Sequence, residues 1–447
     1  MESYLEELQQ QIRWKRARPV VAAELGRHLT DQRDAFLEEG YSPEEAEHLA
    51  VEEMGDPVSV GLELDCIHRP RPQWGLLVLT MLLAAAGAFL RIWLTAGWDY
   101  MSVNPVRALL AFGVGCGCLV AAYLLDYTCL LRYARWFYVG ILALCVISLK
   151  VSPVINAVSY YTRILTVLLP VAYAVWVYSC HGRGRTGFLY AVVGGMPLAL
   201  ICVLAPSIPG LFFLMCTGLA ILLYAIWSGW LGGKGKIAMT VMTALIVLMA
   251  VAMFANAVME GYFDRRLVAL LYPERDPLGS GYQALMLRKT LEHARWWGAG
   301  IWPATEPYSF EHSVPNWEFD CLLTTMIFRL GWIPFLLLMI AFAALMGWLL
   351  CRCLRQKSRG GKMLALSVIL PMGLQAVFSV VLNLGVVLFS AQMPLMVGNV
   401  QTVLNLAMIG LVLSVFRGDS IVREPAPKRE PRREKRRLRL RVVCEWV

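Results

Sequence analysis

The sequence is poor in charge. Only 16% of its 447 residues are Asp, Glu, Lys or Arg, whereas soluble domains carry about 25%. Hydrophobic residues make up 58% of the chain, above the ~45–50% that is usual in soluble domains. This balance excludes a disordered chain, a collagen and a small disulfide scaffold, and it does not suit an ordinary soluble enzyme. Lipid must solvate the apolar excess, so the sequence predicts a polytopic membrane protein.

Several motifs of soluble enzymes and metal proteins are also missing. The sequence contains no G-x-x-x-x-G-K-[ST], H-E-x-x-H or G-x-S-x-G motif, which makes an ATP-driven pump a poor interpretation. Cys351 and Cys353 form a C-x-C without nearby His partners, whereas a structural zinc ion needs four ligands. Residues 258–319 contain no cysteine, so no disulfide framework is expected there.

Residues 1–72 are charged and lack any apolar run long enough to cross a bilayer. Because a cleavable signal peptide places its apolar stretch within the first ~30 residues, we expect none here. Ser42, Pro43 and Glu45 form a helix start, with Ser42 as the N-cap and Glu45 reaching back to it. The segment is predicted to be a small helical domain. Its candidate helices are 2–18, 20–39, 43–54 and 57–67.

From Trp74 onward the apolar runs are long enough to span a bilayer, which takes ~20 mostly apolar residues. The predicted fold class is therefore an all-α membrane protein with about ten transmembrane helices within residues 73–416. The candidate spans are 74–96, 105–125, 136–152, 162–180, 187–205, 209–231, 237–257, 321–350, 363–389 and 396–416.

Lys and Arg are distributed as the positive-inside rule requires. They cluster before span one and after spans two, four, six, eight and ten. If the chain has ten spans, all of these flanking segments lie on the same side of the membrane. This predicts cytoplasmic N and C termini. The net charge of +9 then reflects topology and attraction to anionic lipid rather than nucleic-acid binding. Residues 417–447, with prolines among charges, are predicted to be a disordered basic tail.

One connection, residues 258–320 between spans seven and eight, is much longer than the others and is predicted to be external. Loops of this length in compact proteins are usually functional. Trp296, Trp297, Trp302 and Trp317 suit the lipid headgroup layer. We therefore expect a structured loop that lies on the membrane.

Two stretches of this loop carry candidate chemistry. The run D-P-L-G-S-G-Y-Q at 276–283 is a turn, in which glycines permit positive φ or close backbone approach; its residues leave open whether it binds a ligand. Asp320 is the last charged residue before span eight. It is either an N-cap for that span or a partly desolvated base where a lipid-linked substrate would present its head group.

The order of motifs here resembles the SEDS family, which contains the cell-shape, division and sporulation proteins RodA, FtsW and SpoVE. The motifs are R-x-x-x-x-L-x-P-E-x-D-P-L-G-x-G-Y-Q, then G-x-G-[IL], V-P-x-x-x-x-D and L-G. The resemblance covers about residues 74–416. It implies a glycosyltransferase of the bacterial cytoplasmic membrane that polymerises lipid II, the undecaprenyl-diphosphate-linked disaccharide peptide, usually with a class B penicillin-binding protein.

The resemblance also implies roles for single residues. Asp320 falls on the family's essential loop aspartate, which implies a base that deprotonates the 4-hydroxyl of the acceptor sugar. The expelled polyprenyl diphosphate needs cations, from the protein or from a divalent metal such as Mg²⁺ or Mn²⁺. Arg163 aligns with a family lysine and offers a bidentate fork, although a snorkelling interfacial arginine would look the same. The remaining candidate substrate-binding residues are Lys150, Arg266, Asp276, Gly279, Gly281, Tyr282 and Gln283.

The chain departs from the family pattern at several acidic positions. The family's P-x-[IV]-S-Y-G-G is missing before the last span, Tyr160 replaces a Glu, and E-E-L-G after Asp320 has become the run 328–331, which includes Arg329. Three functions stay open. A lipid II polymerase is the one we favour; the others are a lipid II flippase or lipid-linked glycan transporter, which needs a polar path through the bundle, and a non-catalytic scaffold.

Residues 1–72 resemble the HAAS or permease-prefix domain, which precedes the membrane domains of many Gram-positive bacterial proteins. The matching residues are the pairs 24–25 and 28–29 and the runs 40–46 and 54–57. A generic helical cap is the alternative. The resemblance implies a cytoplasmic binding or regulatory module and does not identify what it binds.

Overall fold

A computed structural model describes residues 1–14, 17–68, 72–95, 104–155, 158–232, 235–259, 270–304, 308–315, 317, 319–387, 390–396 and 399–418. Over these residues the regular secondary structure is helical, apart from one short ribbon of two strands. Arg266 and the predicted tail beyond residue 418 lie outside the described residues.

Four helices form the N-terminal segment, and they share one buried apolar cluster that includes Leu8, Val21 and Leu29. They are α1 (Glu2–Gln11), α2 (Ala17–Glu38), α3 (Pro43–Glu53) and α4 (Pro57–His68). The predicted capping box is confirmed, because the Ser42 hydroxyl accepts from the Glu45 amide and the Glu45 carboxylate accepts from the Ser42 amide. The likeness to a permease-prefix domain stays a prediction.

The first predicted helix, 2–18, is wrong in its extent. Helix α1 ends at Gln11, because the amide of Arg13 donates to the buried carboxylate of Asp65 on α4 at 2.9 Å. This hydrogen bond replaces the one that Arg13 would make within a continuous helix.

The rest of the chain is a bundle of long apolar helices. Its elements up to the external loop are α5 (Trp74–Thr95), α6 (Pro105–Leu124), α7 (Tyr127–Arg132), α8 (Ala134–Val151), β1 (Val154–Ile155), β2 (Val158–Ser159), α9 (Tyr160–Leu165), α10 (Leu169–Ser179), α11 (Gly184–Leu204), α12 (Ile208–Trp227) and α13 (Lys236–Met259). Those that follow are α14 (Tyr282–Glu292), α15 (Phe310–Ser313), α16 (Leu322–Leu330), α17 (Trp332–Leu354), α18 (Arg359–Asn383) and α19 (Asn399–Arg417).

Nine stretches among the described residues are long and apolar enough to cross a membrane: α5, α6, α8, α9 with α10, α11, α12, α17, α18 and α19. Each overlaps a predicted span. Helix α13 has 24 residues and coincides with the predicted seventh span. The predicted all-α membrane fold is confirmed.

Predicted span eight is two helices rather than one. Gly331 separates α16 from α17 with a φ of +99°, a conformation that favours glycine. Residues 295–300 of the external loop lie along this break. The amides of Gly298 and Gly300 donate to carbonyls of α16, and the first two amides of α17 donate to Arg295 and Trp296. The loop backbone therefore replaces the backbone hydrogen bonds that are lost where α16 ends and α17 begins.

The loop that is predicted to be external shares a small apolar core with α16 and α18, in which Phe310 and Trp317 of the loop lie with Phe328 of α16. Trp296 and Trp297 are exposed, as an interfacial position requires. Trp317 is only 3% exposed, so its predicted place in the headgroup layer is wrong. Its ring packs into the loop core, with the Arg329 guanidinium 5.7 Å from its centroid.

The last helix closes the bundle against the first two spans. Helix α19 is the most buried of the nine and packs along α6, where Gly115 and Gly410 allow close approach. At one end Tyr123 contacts both termini of the membrane domain. Its hydroxyl accepts from the Gln73 amide at 3.4 Å, and its ring lies 5.1 Å from the Arg417 guanidinium. Span one thus begins where the last span ends, as an even number of crossings requires.

Candidate active site

Ser390 joins the two charged residues that the sequence singled out. Its hydroxyl donates to Oδ2 of Asp320 at 2.6 Å and accepts from Nη2 of Arg163 at 2.7 Å. Hydrogen bonds to ionised groups are shorter and stronger than neutral ones. One carboxylate, one hydroxyl and one guanidinium therefore form a continuous chain across the end of the bundle.

The backbone at Asp320 is fixed by Asn383, a side chain only 1% exposed at the end of α18. Its Nδ2 donates to the carbonyls of Asp320 and Ser379, both at 2.8 Å. Its Oδ1 accepts from the Thr324 amide at 2.8 Å. These bonds lock the start of α16 onto α18. The N-cap of α16 is Cys321, so the alternative role of Asp320 as a helix cap is not what the structure shows.

The second carboxylate oxygen of Asp320, Oδ1, has a different environment. It is buried and has no hydrogen-bond partner among the described residues. A carboxylate oxygen can accept two hydrogen bonds, and a buried acceptor that makes no hydrogen bond costs free energy. Oδ1 is therefore the oxygen of Asp320 whose hydrogen-bonding capacity the described residues leave unused.

Arg163 is positioned by the sharp reversal between α8 and α9. Strands β1 and β2 pair antiparallel, with Val154 opposite Ser159. The amide of Tyr161 then donates to the Ser152 hydroxyl at 2.9 Å, and the hydroxyls of Ser148 and Thr162 are 3.0 Å apart. The first turn of α9 is thereby held against α8.

A groove lies beside Arg163, between α9, α10, α12, α18 and residues 390–392. Its empty space, with the mouth included, is about 730 Å³. Among the described residues of its lining, Arg163 is the one that carries a charge. The other polar lining residues are Tyr160, Thr166, Ser207, Gln375, Ser390, Gln392 and Gln401, and the apolar ones include Pro170, Phe213 and Pro371. A cation, neutral amides and an apolar wall together suit a ligand that has anionic, polar and apolar parts.

The remaining predicted site residues shape the external loop. The amide and hydroxyl of Ser280 donate to Asp276 at 2.8 and 2.9 Å, and these bonds lower the pKa of the Asp276 carboxyl. A Cβ at Gly279 would meet that carboxylate, and a Cβ at Gly281 would meet the carbonyl of Pro273. This turn therefore requires both glycines.

Two further loop residues anchor α14 near the site. The Tyr282 hydroxyl donates to the Ser313 carbonyl at 2.8 Å, and Nε2 of Gln283 donates to the Cys321 sulfur at 3.4 Å. Lys150 lies in the last turn of α8 with an exposed side chain. The structure thus brings Asp320 and Arg163 together and links Gln283 to the neighbour of Asp320.

Sequence reasoning missed Ser390 and Arg91. A single serine in an apolar run does not mark a functional site. A charged residue inside a predicted membrane span does, so Arg91 could have been found from the sequence. Arg91 is 6% exposed. It donates to Oδ1 of Asn399 at 3.0 Å, and its guanidinium lies 5.1 Å from the centroid of the Phe319 ring.

Within the described residues, no group of three or more His, Cys, Asp or Glu side chains is placed to hold a metal ion. Among the described residues of the site, Asp320 alone is an acidic ligand of this kind. Mg²⁺ typically takes one or two carboxylates together with substrate phosphates. Arg163 instead offers direct, bidentate contact with a phosphate.

No family model matches the chain. The chain is 27% identical over 250 residues to "Probable peptidoglycan glycosyltransferase FtsW" of Thioalkalivibrio sulfidiphilus. The aligned region covers 53% of this chain and 58% of that protein. A chain from a peptidoglycan synthase complex, described for its coordination of polymerization and crosslinking, matches the fold with a TM-score of 0.57 at 19% identity. It covers 78% of this chain and 98% of that chain. These matches in sequence and in fold agree with the predicted resemblance to the SEDS family.

The fold of RodA from Thermus thermophilus matches this chain as well, with a TM-score of 0.51 at 18% identity, over 78% of this chain and 97% of that chain. The chain spans between 29% and 58% of the length of the curated relatives it matches. The predicted family resemblance is confirmed, and the nine long apolar stretches among the described residues indicate a multi-pass membrane protein.

Proposed function

We propose that this protein is a peptidoglycan glycosyltransferase of the bacterial cytoplasmic membrane, which polymerises lipid II into glycan strands. The observation that carries the proposal is the hydrogen-bonded chain Asp320–Ser390–Arg163 beside a groove of mixed polarity. Glycosyl transfer from a lipid diphosphate needs a base and a cation close together. Asp320 supplies the base and Arg163 supplies the cation.

Oδ1 of Asp320 takes the proton from the 4-hydroxyl of the acceptor sugar as that oxygen attacks the anomeric carbon of the donor. A new glycosidic C–O bond forms, and the bond from the anomeric carbon to the donor's diphosphate breaks. The bonding electron pair leaves with the polyprenyl diphosphate. Arg163 stabilises the negative charge that develops on the leaving diphosphate.

Ser390 keeps the two charges apart and ordered. Because its hydroxyl donates to Oδ2, it holds the carboxylate with Oδ1 available. Because it also accepts from Arg163, the guanidinium stays at the mouth of the groove instead of pairing directly with the base.

We also assign a class B penicillin-binding protein as the partner. The support is the likeness to a chain from a complex that coordinates polymerization and crosslinking.

A polymerisation assay tests the proposal. Purified protein is incubated with labelled lipid II, Mg²⁺ and a class B penicillin-binding protein, and glycan products are separated on a gel. Wild type should give ladders, and Asp320→Asn should lower the rate by about 10²–10⁴. Glu292→Gln, at an exposed carboxylate of the same loop, is the matched control and should retain full activity.

Ladders from Asp320→Asn at the wild-type rate would refute Asp320 as the base. If the wild-type protein yields no ladder with any partner of this class, a non-catalytic scaffold becomes the better reading of this chain.

A further inference from the structure

The two ends of the chain carry opposite charge. Residues 1–68 hold 16 Asp and Glu against six Lys and Arg. The basic run, residues 428–441, holds nine Lys and Arg against two Glu, and it lies outside the described residues. Opposite charges favour contact between two segments, provided that the fold brings them within reach of each other.

The fold ties both segments to the same end of α6. The hydroxyl of Tyr123, in the last turn of α6, accepts from the Gln73 amide at 3.4 Å. The guanidinium of Arg417 lies 5.1 Å from the centroid of the Tyr123 ring and donates to the Leu124 carbonyl at 3.1 Å. The last helix of the N-terminal domain ends at His68, shortly before Gln73, and the basic run follows Arg417. Both segments therefore leave the membrane domain at one point, on one side of the membrane.

The chain after this anchor is long enough for contact. Lys428 follows Gly418 by ten residues, which at ~3.3 Å per residue can span about 33 Å. A compact domain of the size of the N-terminal one is roughly 28 Å across. The basic run can therefore reach any face of that domain, so the charge of each face decides where the run binds.

The turn between α2 and α3 is exposed and acidic. It contains the carboxylates of Glu38, Glu39 and Glu44 and the exposed apolar side chains of Leu37 and Tyr41. These five residues form the acidic tip of the domain. Within the described part of the chain, none of the three carboxylates forms an ion pair. The tip therefore offers negative charge and apolar surface to a partner.

Two of these carboxylates oppose the dipole of α2. The C-terminal end of a helix favours cations and disfavours carboxylates. Helix α2 ends at Glu38, with Glu39 directly after it, and its last turn has no basic residue. A cation from another segment would stabilise this end of the helix. A local mismatch of this kind is expected where a surface serves a partner.

We propose that the basic run docks on the acidic tip, so that the two ends of the chain form one unit beside the membrane. The run matches the tip in pattern as well as in charge. Positions 436–443 read R-R-L-R-L-R-V-V, which places apolar side chains for Leu37 and Tyr41 among cations for the three carboxylates. Single exposed ion pairs are weak, but a tethered partner has an effective concentration of about a millimolar, at which several weak pairs suffice.

Carbodiimide cross-linking of the full-length protein in neutral detergent tests the contact. The reagent joins a lysine to a carboxylate only where the two touch, and mass spectrometry of the peptides identifies both. Lys428 and Lys435 should couple to the carboxylates of the acidic tip. Glu6 and Glu7 of α1 are also exposed and should give few products. The yield at the tip should fall in about 1 M salt, where the screening length drops to about 3 Å.

Tryptic cleavage within the basic run is a second measurement, because docked arginines are protected from the protease. The triple variant Glu38→Gln, Glu39→Gln and Glu44→Gln should be cleaved about threefold faster or more than wild type, as expected for the loss of three exposed ion pairs. The double variant Glu6→Gln and Glu7→Gln is the matched control, and its basic run should be cleaved at the wild-type rate.

Absence of cross-links from the run to the tip, or equal coupling to Glu6 and Glu7, would overturn the proposal. A mixture of ¹⁵N-labelled and unlabelled protein separates contacts within one chain from contacts between copies. If the cross-links join only different copies, the partner is a second chain and docking within one chain is wrong.

Anionic lipid is the competing partner for a basic segment. The tryptic measurement is therefore repeated in nanodiscs of phosphatidylcholine and of phosphatidylglycerol. Protection in phosphatidylcholine that the triple variant loses would support docking on the tip. Protection that requires phosphatidylglycerol and is unchanged in the triple variant would assign the basic run to the membrane and refute the proposal.

Discussion

The hydroxyl of Ser390 lies 2.6 Å from Oδ2 of Asp320 and 2.7 Å from the guanidinium of Arg163. One neutral side chain therefore sets the orientation of both charged groups. It gives the two oxygens of Asp320 different environments, since one accepts from Ser390 and the other has no hydrogen-bond partner among the described residues.

Removing this hydroxyl should impair catalysis more than substrate binding. Ser390→Ala frees the carboxylate to rotate and to pair with Arg163, so we expect kcat to fall by about 10-fold or more with little change in KM. Ser390→Thr keeps the hydroxyl and should retain most of the activity. Steady-state kinetics with lipid II measure the effect. An equal loss in both variants would point to packing rather than to the hydroxyl.

Two buried asparagines should respond in opposite ways to replacement by leucine. Asn383 bonds the backbones of Asp320, Ser379 and Thr324, so Asn383→Leu leaves buried polar groups unpaired and should cost about 1–3 kcal/mol for each. Asn405 is fully buried, and its amide has no hydrogen-bond partner among the described residues. Asn405→Leu should therefore be neutral or stabilising.

Thermal unfolding of the two variants in detergent checks this contrast. A higher melting temperature for Asn383→Leu than for wild type would contradict the role of Asn383 as the link between α16 and α18.

The break between α16 and α17 should depend on Gly331. Its φ of +99° strains any other residue by about 1–3 kcal/mol, and a Cβ there would lie 2.7 Å from the Trp296 carbonyl oxygen. Gly331→Ala should lower the melting temperature and expose the amides of Gly298 and Gly300 to hydrogen exchange. Gly347 lies within α17, and a Cβ there would meet nothing within 4 Å, so Gly347→Ala should be tolerated. Similar behaviour of the two variants would refute the strained break.

The turn at Asp276 should loosen in acid. Its carboxyl has a lowered pKa in the folded protein, so its stabilising effect is complete above the unfolded pKa of about 3.9. The effect is lost as the pH falls from there through the folded pKa. Hydrogen exchange of the Ser280 amide should therefore accelerate below about pH 3.9 beyond the intrinsic pH effect. Asp276→Asn should abolish this excess, and an unchanged profile in that variant would argue against the turn.

Span positions were predictable because apolar runs set them directly, and Asp320 was predictable as the last charge before a span. The break at Gly331 was not, because it depends on hydrogen bonds from a loop segment some thirty residues earlier. Trp317 was misplaced for a related reason, since an aromatic residue in a loop looks the same whether it faces lipid or a small core. Ser390 is brought to Asp320 only by the packing of α18, which no local pattern reports.

The packing of α19 along α6 has a consequence for biosynthesis. Gly115 of α6 and Gly87 of α5 lie close to residues from position 395 onward, which the ribosome makes after all the preceding spans. The first two spans must therefore wait in the bilayer without their final partner while the rest of the chain is translated. Assembly of this membrane domain is completed only after synthesis of its last helix, so nascent chains halted before α19 should be substrates for membrane quality control.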